Sequence, residues 1–128
     1  MKNGEIKNNF MKEIITGYKA FRLNKDNKLC YLFKTHNGSS TVELDTWLKT
    51  KWVSESNGKK YRSGFHFLRD NNSIEAFNKL TKGKYVFIPV QCRSVEAKPR
   101  SRSNSWLAVE IFISSYTANN AITSFLLQ

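Results

Sequence analysis

"KYVFIPVQCRSV", residues 84–95, is the stretch on which the fold turns. Tyr85 to Val90 is apolar on both faces, the pattern of a strand in the middle of a sheet rather than of one half in water. Pro89 has no amide hydrogen to offer a ladder, so a bulge or an edge is expected near it. Gly83 stands just before the stretch, well placed to end a helix. After it comes EAKPRSRSNS, residues 96–105, a basic loop composition, and then WLAVEIFIS, residues 106–114, a further strand.

Working back toward the N-terminus, SIEAFNKL, residues 73–80, sets Ile74, Phe77 and Leu80 on one face of a helix and Glu75, Asn78 and Lys79 on the other. Asp70, Asn71, Asn72 and Ser73 offer capping oxygens for its start. YRSGFHF, residues 61–67, reads as a strand, and SESNGKK, residues 54–60, as a loop. Asp45 or Thr46 is expected to cap a short turn carrying Trp47, Leu48 and Trp52. TVEL, residues 41–44, reads as a short strand after the loop KTHNGSS. GYKAFRL, residues 17–23, alternates with a period of two, and NKDNK separates it from LCYLF, residues 29–33. Together they predict a β-hairpin with a loop of about five residues. Residues 1–16 read as a flexible or short helical lead-in. Residues 115–128 read as a turn and a short helix through Ile122, Phe125 and Leu126. The expected architecture is α+β: a single small domain over residues 17–128, with about six mostly antiparallel strands and one or two short helices.

With 128 residues, 40% of them apolar, the chain has room for one core and not for two. Lys and Arg number 21 against 10 Asp and Glu, a formal charge of +11 that favours anionic partners: nucleic acid, nucleotides, an acidic protein surface or anionic lipid. Cys30 and Cys92 sit in apolar runs with no CxxC, so buried free thiols and a cytoplasmic setting are expected. The opening MKNGEIKNNF has no apolar leader core, and no run approaches the roughly 20 apolar residues of a membrane span.

The basic residues are the strongest chemical signal. Lys98, Arg100 and Arg102 alternate with small residues that leave their charges free to reach phosphate oxygens, and Arg93, Lys60 and Arg62 add to them. Trp106, beside the basic loop, could stack on an unpaired base of a single strand. No helix carries a cluster of base-reading side chains, which argues against sequence-specific duplex reading. Glu110, inside an apolar run, must face solvent or meet a cation. Arg22 could pair with a carboxylate or grip a phosphate, and His66 reads first as a structural histidine. His36 and His66 lack ligand spacing, so no metal is expected. The glycines form no phosphate-binding loop.

The series GYKAFR, LF, W and YRSGFHF resembles short proteins encoded by bacteriophages and prophages. The resemblance rests on Tyr18, Lys19, Ala20, Phe21, Arg22, Leu32, Phe33, Trp47, Gly64, Phe65 and His66. It implies a protein acting in the cytoplasm of a host bacterium, binding and disabling host machinery such as CRISPR or another defence system, without a cofactor. Arg22, then GFHF with Ala76 and Phe77, then Glu110 also occur in the order seen in the ADP-ribosyltransferase fold. That resemblance implies an alternative in which Arg22 holds the pyrophosphate of NAD, His66 touches its ribose and Glu110 orients the nucleophile, although position 108 is Ala where a second acid would stand. A third reading is a protein that sequesters an anionic nucleotide signal.

Overall fold

The computed structural model describes residues 13–32, 41–50, 53–62, 64–97 and 105–128, with side chains left undescribed at 53–56 and 59–62. Among them lie eight strands and two helices. The strands are β1 (Ile14–Leu23), β2 (Leu29–Cys30), β3 (Trp47–Lys49), β4 (Val53–Ser56), β5 (Lys59–Arg62), β6 (Phe65–Phe67), β7 (Val86–Ala97) and β8 (Trp106–Phe112). The helices are α1 (Asn71–Thr81) and α2 (Ser115–Leu126). One antiparallel sheet runs β2-β1-β7-β8-β3, with β6 also paired to β8, and β4 and β5 form a separate hairpin. This is the expected single α+β domain.

The sheet closes on itself. β1 pairs with β7, β7 with β8, and β8 with β6. Leu68, the residue after β6, then returns to β1: Tyr18 N–H donates to the Leu68 carbonyl at 2.7 Å, and Leu68 N–H to the Tyr18 carbonyl at 2.7 Å. Hydrogen bonding therefore runs around an unbroken circuit of these four strands. A circuit so narrow leaves little interior, and Gly17 shows how little. A Cβ there would lie 2.3 Å from the fully buried Phe67 ring and 3.1 Å from the Leu68 carbonyl oxygen.

β7 is the central strand its composition predicts, and Val86, Ile88, Val90 and Cys92 along it are 3% exposed or less. Pro89 is tolerated there for a local reason. It stands opposite Tyr18, whose amide and carbonyl are both turned to Leu68, and the β8 ladder begins only at Gln91. No partner on either side asks for the hydrogen that Pro89 lacks. The irregularity expected near Pro89 is found instead at Ser94, which sits at φ 55° in the middle of β7. Phe21, Phe67, Ala108, Ile111 and Ile113 share this core, and Ala118 brings α2 against it.

Several local expectations meet a different outcome. β1 begins at Ile14, within the stretch read as lead-in, while residues 1–12 lie outside the described residues. The first hairpin has its expected loop, Asn24–Lys28, folded around the Asn24 side chain, which accepts from Asp26 N–H and Lys28 N–H. Its second strand is shorter than expected, and residues 41–44 contribute a single bridge, Thr41 to Cys30, rather than a strand. Residues 47–49 form a strand on β8 instead of a capped turn. Asp45 does cap a helix, but a distant one, accepting the Ser115 N–H at 2.8 Å. The expected loop 54–60 is the β4–β5 hairpin, turned by Asn57 and Gly58, both at positive φ. The expected strand 61–67 is broken at Gly64 into β5 and β6. α1 starts on Asp70, whose carboxylate accepts Ser73 N–H at 2.7 Å, and Lys82 and Gly83 end it in left-handed conformations. Its Phe77 meets Phe87 edge-on at 5.8 Å, whereas Leu80, expected on the same buried face, is 70% exposed.

Gly17→Ala is expected to lose on the order of 2–3 kcal/mol, the cost of overpacking a filled site. Urea unfolding measures the loss, and hydrogen exchange should show Tyr18 and Leu68 amides deprotected first. A loss below about 0.5 kcal/mol, within the range of an ordinary surface change, would mean the circuit is not tight. Ser94→Gly should act in the other direction. It relieves left-handed strain of about 1–2 kcal/mol and removes a buried hydroxyl with no hydrogen-bond partner among the described residues, against about 1 kcal/mol of added chain entropy. A urea midpoint that rises is the expected result.

Candidate functional site

The cations singled out by the sequence fall into three groups. Lys98, Arg100 and Arg102 lie in the connection between β7 and β8, outside the described residues. Lys60 and Arg62 belong to β5, in a hairpin that links β3 to β6. Arg93 is on β7 and is built into the sheet.

Arg93 is held from two sides. One guanidinium nitrogen lies 3.0 Å from a carboxylate oxygen of Glu110, its cross-strand neighbour on β8. The guanidinium carbon also sits 3.6 Å from the centroid of the Trp47 ring. The pairing follows from register. In one row Lys49, Glu110 and Arg93 stand side by side across β3, β8 and β7; in the next row stand Trp47, Phe112 and Gln91. Trp47 and Phe112 are 5.6 Å apart at 51°. Arg93 and Glu110 keep 28% and 21% of their side-chain surface. In a half-exposed pair the ionic attraction is modest, and its larger effect is to fix the guanidinium plane against the indole. Of the two outcomes the sequence left open for Glu110, solvent or a cation, the structure shows the cation. Arg93 is committed within the fold, and the exposed cation in its row among the described residues is Lys49.

A second arginine–tryptophan stack marks the other end of β8. Arg69 lies 4.8 Å over the Trp106 ring, and Phe67 is 6.5 Å from it on the other strand. Trp106 therefore stands next to the basic β7–β8 connection with a cation already on its face. The Trp47 cluster is hidden from the sequence because a short capped turn carrying Trp47 and Leu48 is expected there, and such a turn forms no cross-strand row.

The transferase residues do not meet at one place. Arg22 donates its Nε–H to the Tyr31 carbonyl at 3.1 Å, and it stands eight residues along β1 from Ile14, the partner of Arg93. At strand rise that separates Arg22 from the Arg93–Glu110 pair by about 26 Å. His66 is exposed on β6, and its carbonyl accepts the Lys19 ammonium at 2.8 Å.

Lys19, named in the sequence only as part of GYKAFR, has an environment that its strand pattern does not show. It is half-buried, with its ammonium 5.8 Å from the Phe21 ring and 5.9 Å from the Phe65 ring. Burial pulls its pKa from 10.5 to about 8, although the nearby Cys92 acts in the opposite sense. Burial also pushes the Cys92 thiol from 9.0 up to about 12. Both cysteines are free and buried, as expected. No group of three or more metal-ligating side chains occurs among the described residues, and no helix there is long and apolar enough to cross a membrane.

The chain matches no protein-family model, no curated protein and no solved structure. Its own residues carry the functional assignment.

Lys19 gives this region a pH signature. Between pH 8 and 10.5 the unfolded chain holds more protons at Lys19 than the folded one, so stability rises with pH there. Cys92 acts oppositely from pH 9 to 12, where the unfolded thiol ionises and the folded one does not. Urea unfolding should show stability climbing from pH 8 to 9. In Cys92→Ala the climb should continue to about 10.5, and in Lys19→Met it should vanish. A slope unchanged by Lys19→Met would assign it to another group.

Proposed function

We propose that this protein works by binding single-stranded nucleic acid, free or within a host nucleoprotein, and performs no chemistry on it. One observation carries the reading: the half-exposed Trp47 and Phe112 rings, adjacent at a sheet edge, with the Arg93 guanidinium carbon 3.6 Å from the indole centroid. Bases of any sequence stack on such a surface, and each stacked base contributes roughly 1–3 kcal/mol. The chain's +11 charge supplies the attraction to phosphates that brings a strand there. Trp106 with Arg69 provides a second aromatic–cation face at the root of the basic connection. In the phage setting that the sequence resemblance implies, the target is the exposed strand of a host defence complex such as a CRISPR effector, and the outcome of binding is inhibition.

Fluorescence anisotropy with short labelled single strands over a range of salt tests this directly. Affinity should fall steeply with salt, and Lys98, Arg100 and Arg102 changed together to Ala should flatten the slope by about 2 in log–log terms. Trp47→Ala should weaken binding roughly tenfold at every salt concentration while leaving the slope unchanged. Absence of binding at low salt, or affinity independent of salt, defeats the proposal.

A further inference from the structure

The helix α2 has one face against the sheet and one in solvent. Ala118 is fully buried, and Ala121, Ile122 and Phe125 are half-buried against the core. On the opposite side, at 3.6 residues per turn, run Tyr116, Asn120, Thr123 and Leu127, all exposed. Leu127 continues the helix, its N–H donating to the Thr123 carbonyl at 3.2 Å. Tyr116 and Leu127 are 77% and 81% exposed, the two most exposed large apolar side chains among the described residues.

Charge decides what can cover this face. From Ile111 to Gln128 the sequence contains no Asp, Glu, Lys, Arg or His, in a chain of net charge +11. The face holds no cation for a phosphate or an acidic partner, and no anion for a basic one. Elsewhere two copies of the chain meet net positive charge with net positive charge; here they approach with least repulsion. A two-fold contact also needs a face that is its own complement, since residue i meets j while j meets i. α2 has that property. With a two-fold axis at the level of Ala121 and Ile122, an antiparallel copy sets Tyr116 against Leu127 and Asn120 against Thr123. Apolar side chains then meet at both ends, and an amide meets a hydroxyl, its donor and acceptor complement, in the middle. The two helix dipoles run in opposite directions, which favours the pair.

We infer that the outer face of α2 is the contact through which this chain forms a two-fold dimer. Asn119 and Leu126, both exposed, flank the stripe. Six side chains from each copy bury on the order of 1,000 Å² in total, the lower end for a specific interface, so the dimer exchanges with monomer. The contact stands independently of the nucleic-acid reading. In the proposed binding, the pair carries two Trp47 surfaces, and a strand long enough to reach both gains avidity.

Sedimentation equilibrium of the full chain, without nucleic acid, tests the contact. The mass should rise from one chain toward two between roughly 5 and 500 µM. Added salt should strengthen the dimer, because it screens the like charges of the two copies. Tyr116→Glu and Leu127→Lys, made singly, should each weaken dimerisation at least about tenfold by setting an unpaired charge against an apolar side chain. Combined in one chain they should restore it, because each new carboxylate faces a new ammonium on the other copy. Within one chain the two positions lie about 16 Å apart along the helix, too far to pair internally. Both are exposed, so the urea midpoints of the variants at monomeric concentration should match wild type. A monomer across the whole range, a dimer that survives both single changes, or a double variant no better than the singles overturns the inference. None of these results bears on strand binding.

Discussion

Two reciprocal backbone hydrogen bonds between Tyr18 and Leu68 hold the rest of this molecule in place. They turn a curled sheet into a closed circuit, leaving the β1–β7–β8–β6 ladder without a free end. The bonds form because Gly17 has no side chain where the Phe67 ring lies, and because Pro89 makes no demand on the far side of Tyr18. An unpaired buried amide or carbonyl at Tyr18 would cost about 1–3 kcal/mol, so these residues depend on one another rather than adding separately. The closure also sets the geometry of the surface. It fixes the curvature of β7 and β8, and these strands carry Arg93, Glu110, Phe112 and Trp106.

On that frame the arginine at position 93 has an unusual place. A surface guanidinium samples many rotamers and is strongly hydrated. This one is half-buried between a carboxylate and an indole, so its orientation is set before any partner arrives. Its charge is largely matched by Glu110, and what it offers is a flat, polarised face continuous with two aromatic rings. In the proposed binding, long-range attraction is left to Lys49 and to the basic residues of the sequence between β7 and β8. Attraction and positioning are thus assigned to different residues.

Where structure followed from adjacent residues, the sequence was readable. The apolar run through Val86–Val90 marked the central strand, Asp70 marked the helix start, and the loop from Asn24 marked the first hairpin. Glu110 was read as either facing solvent or meeting a cation, and that cation, Arg93, could be named only once β7 and β8 were in register. Two of the misreadings share one cause. Trp47–Lys49 becomes a strand only because β8 offers an edge, and Asp45 caps a helix that begins 70 residues later. Neither fact leaves a mark in the local pattern. The β4–β5 hairpin is different: Asn57–Gly58 is the dipeptide most favoured in two-residue hairpin turns, and its signal was lost beneath the charged residues around it. The Trp47 surface could not be foreseen without that β3 strand.

The circuit has a further consequence for how the chain reaches its native state. β1 is made early, yet its partners are β7 and Leu68, so almost none of its long-range pairing can form until the chain through residue 93 is available. Contact order is correspondingly high, and closing such long loops precedes any reward from the pairs they bring together. During synthesis the β1–β2 hairpin stands with a bare edge that is compatible with pairing to another copy. The same arrangement that leaves the finished ladder without a loose end leaves the incomplete chain with one, open to intermolecular pairing until residue 93 is in place.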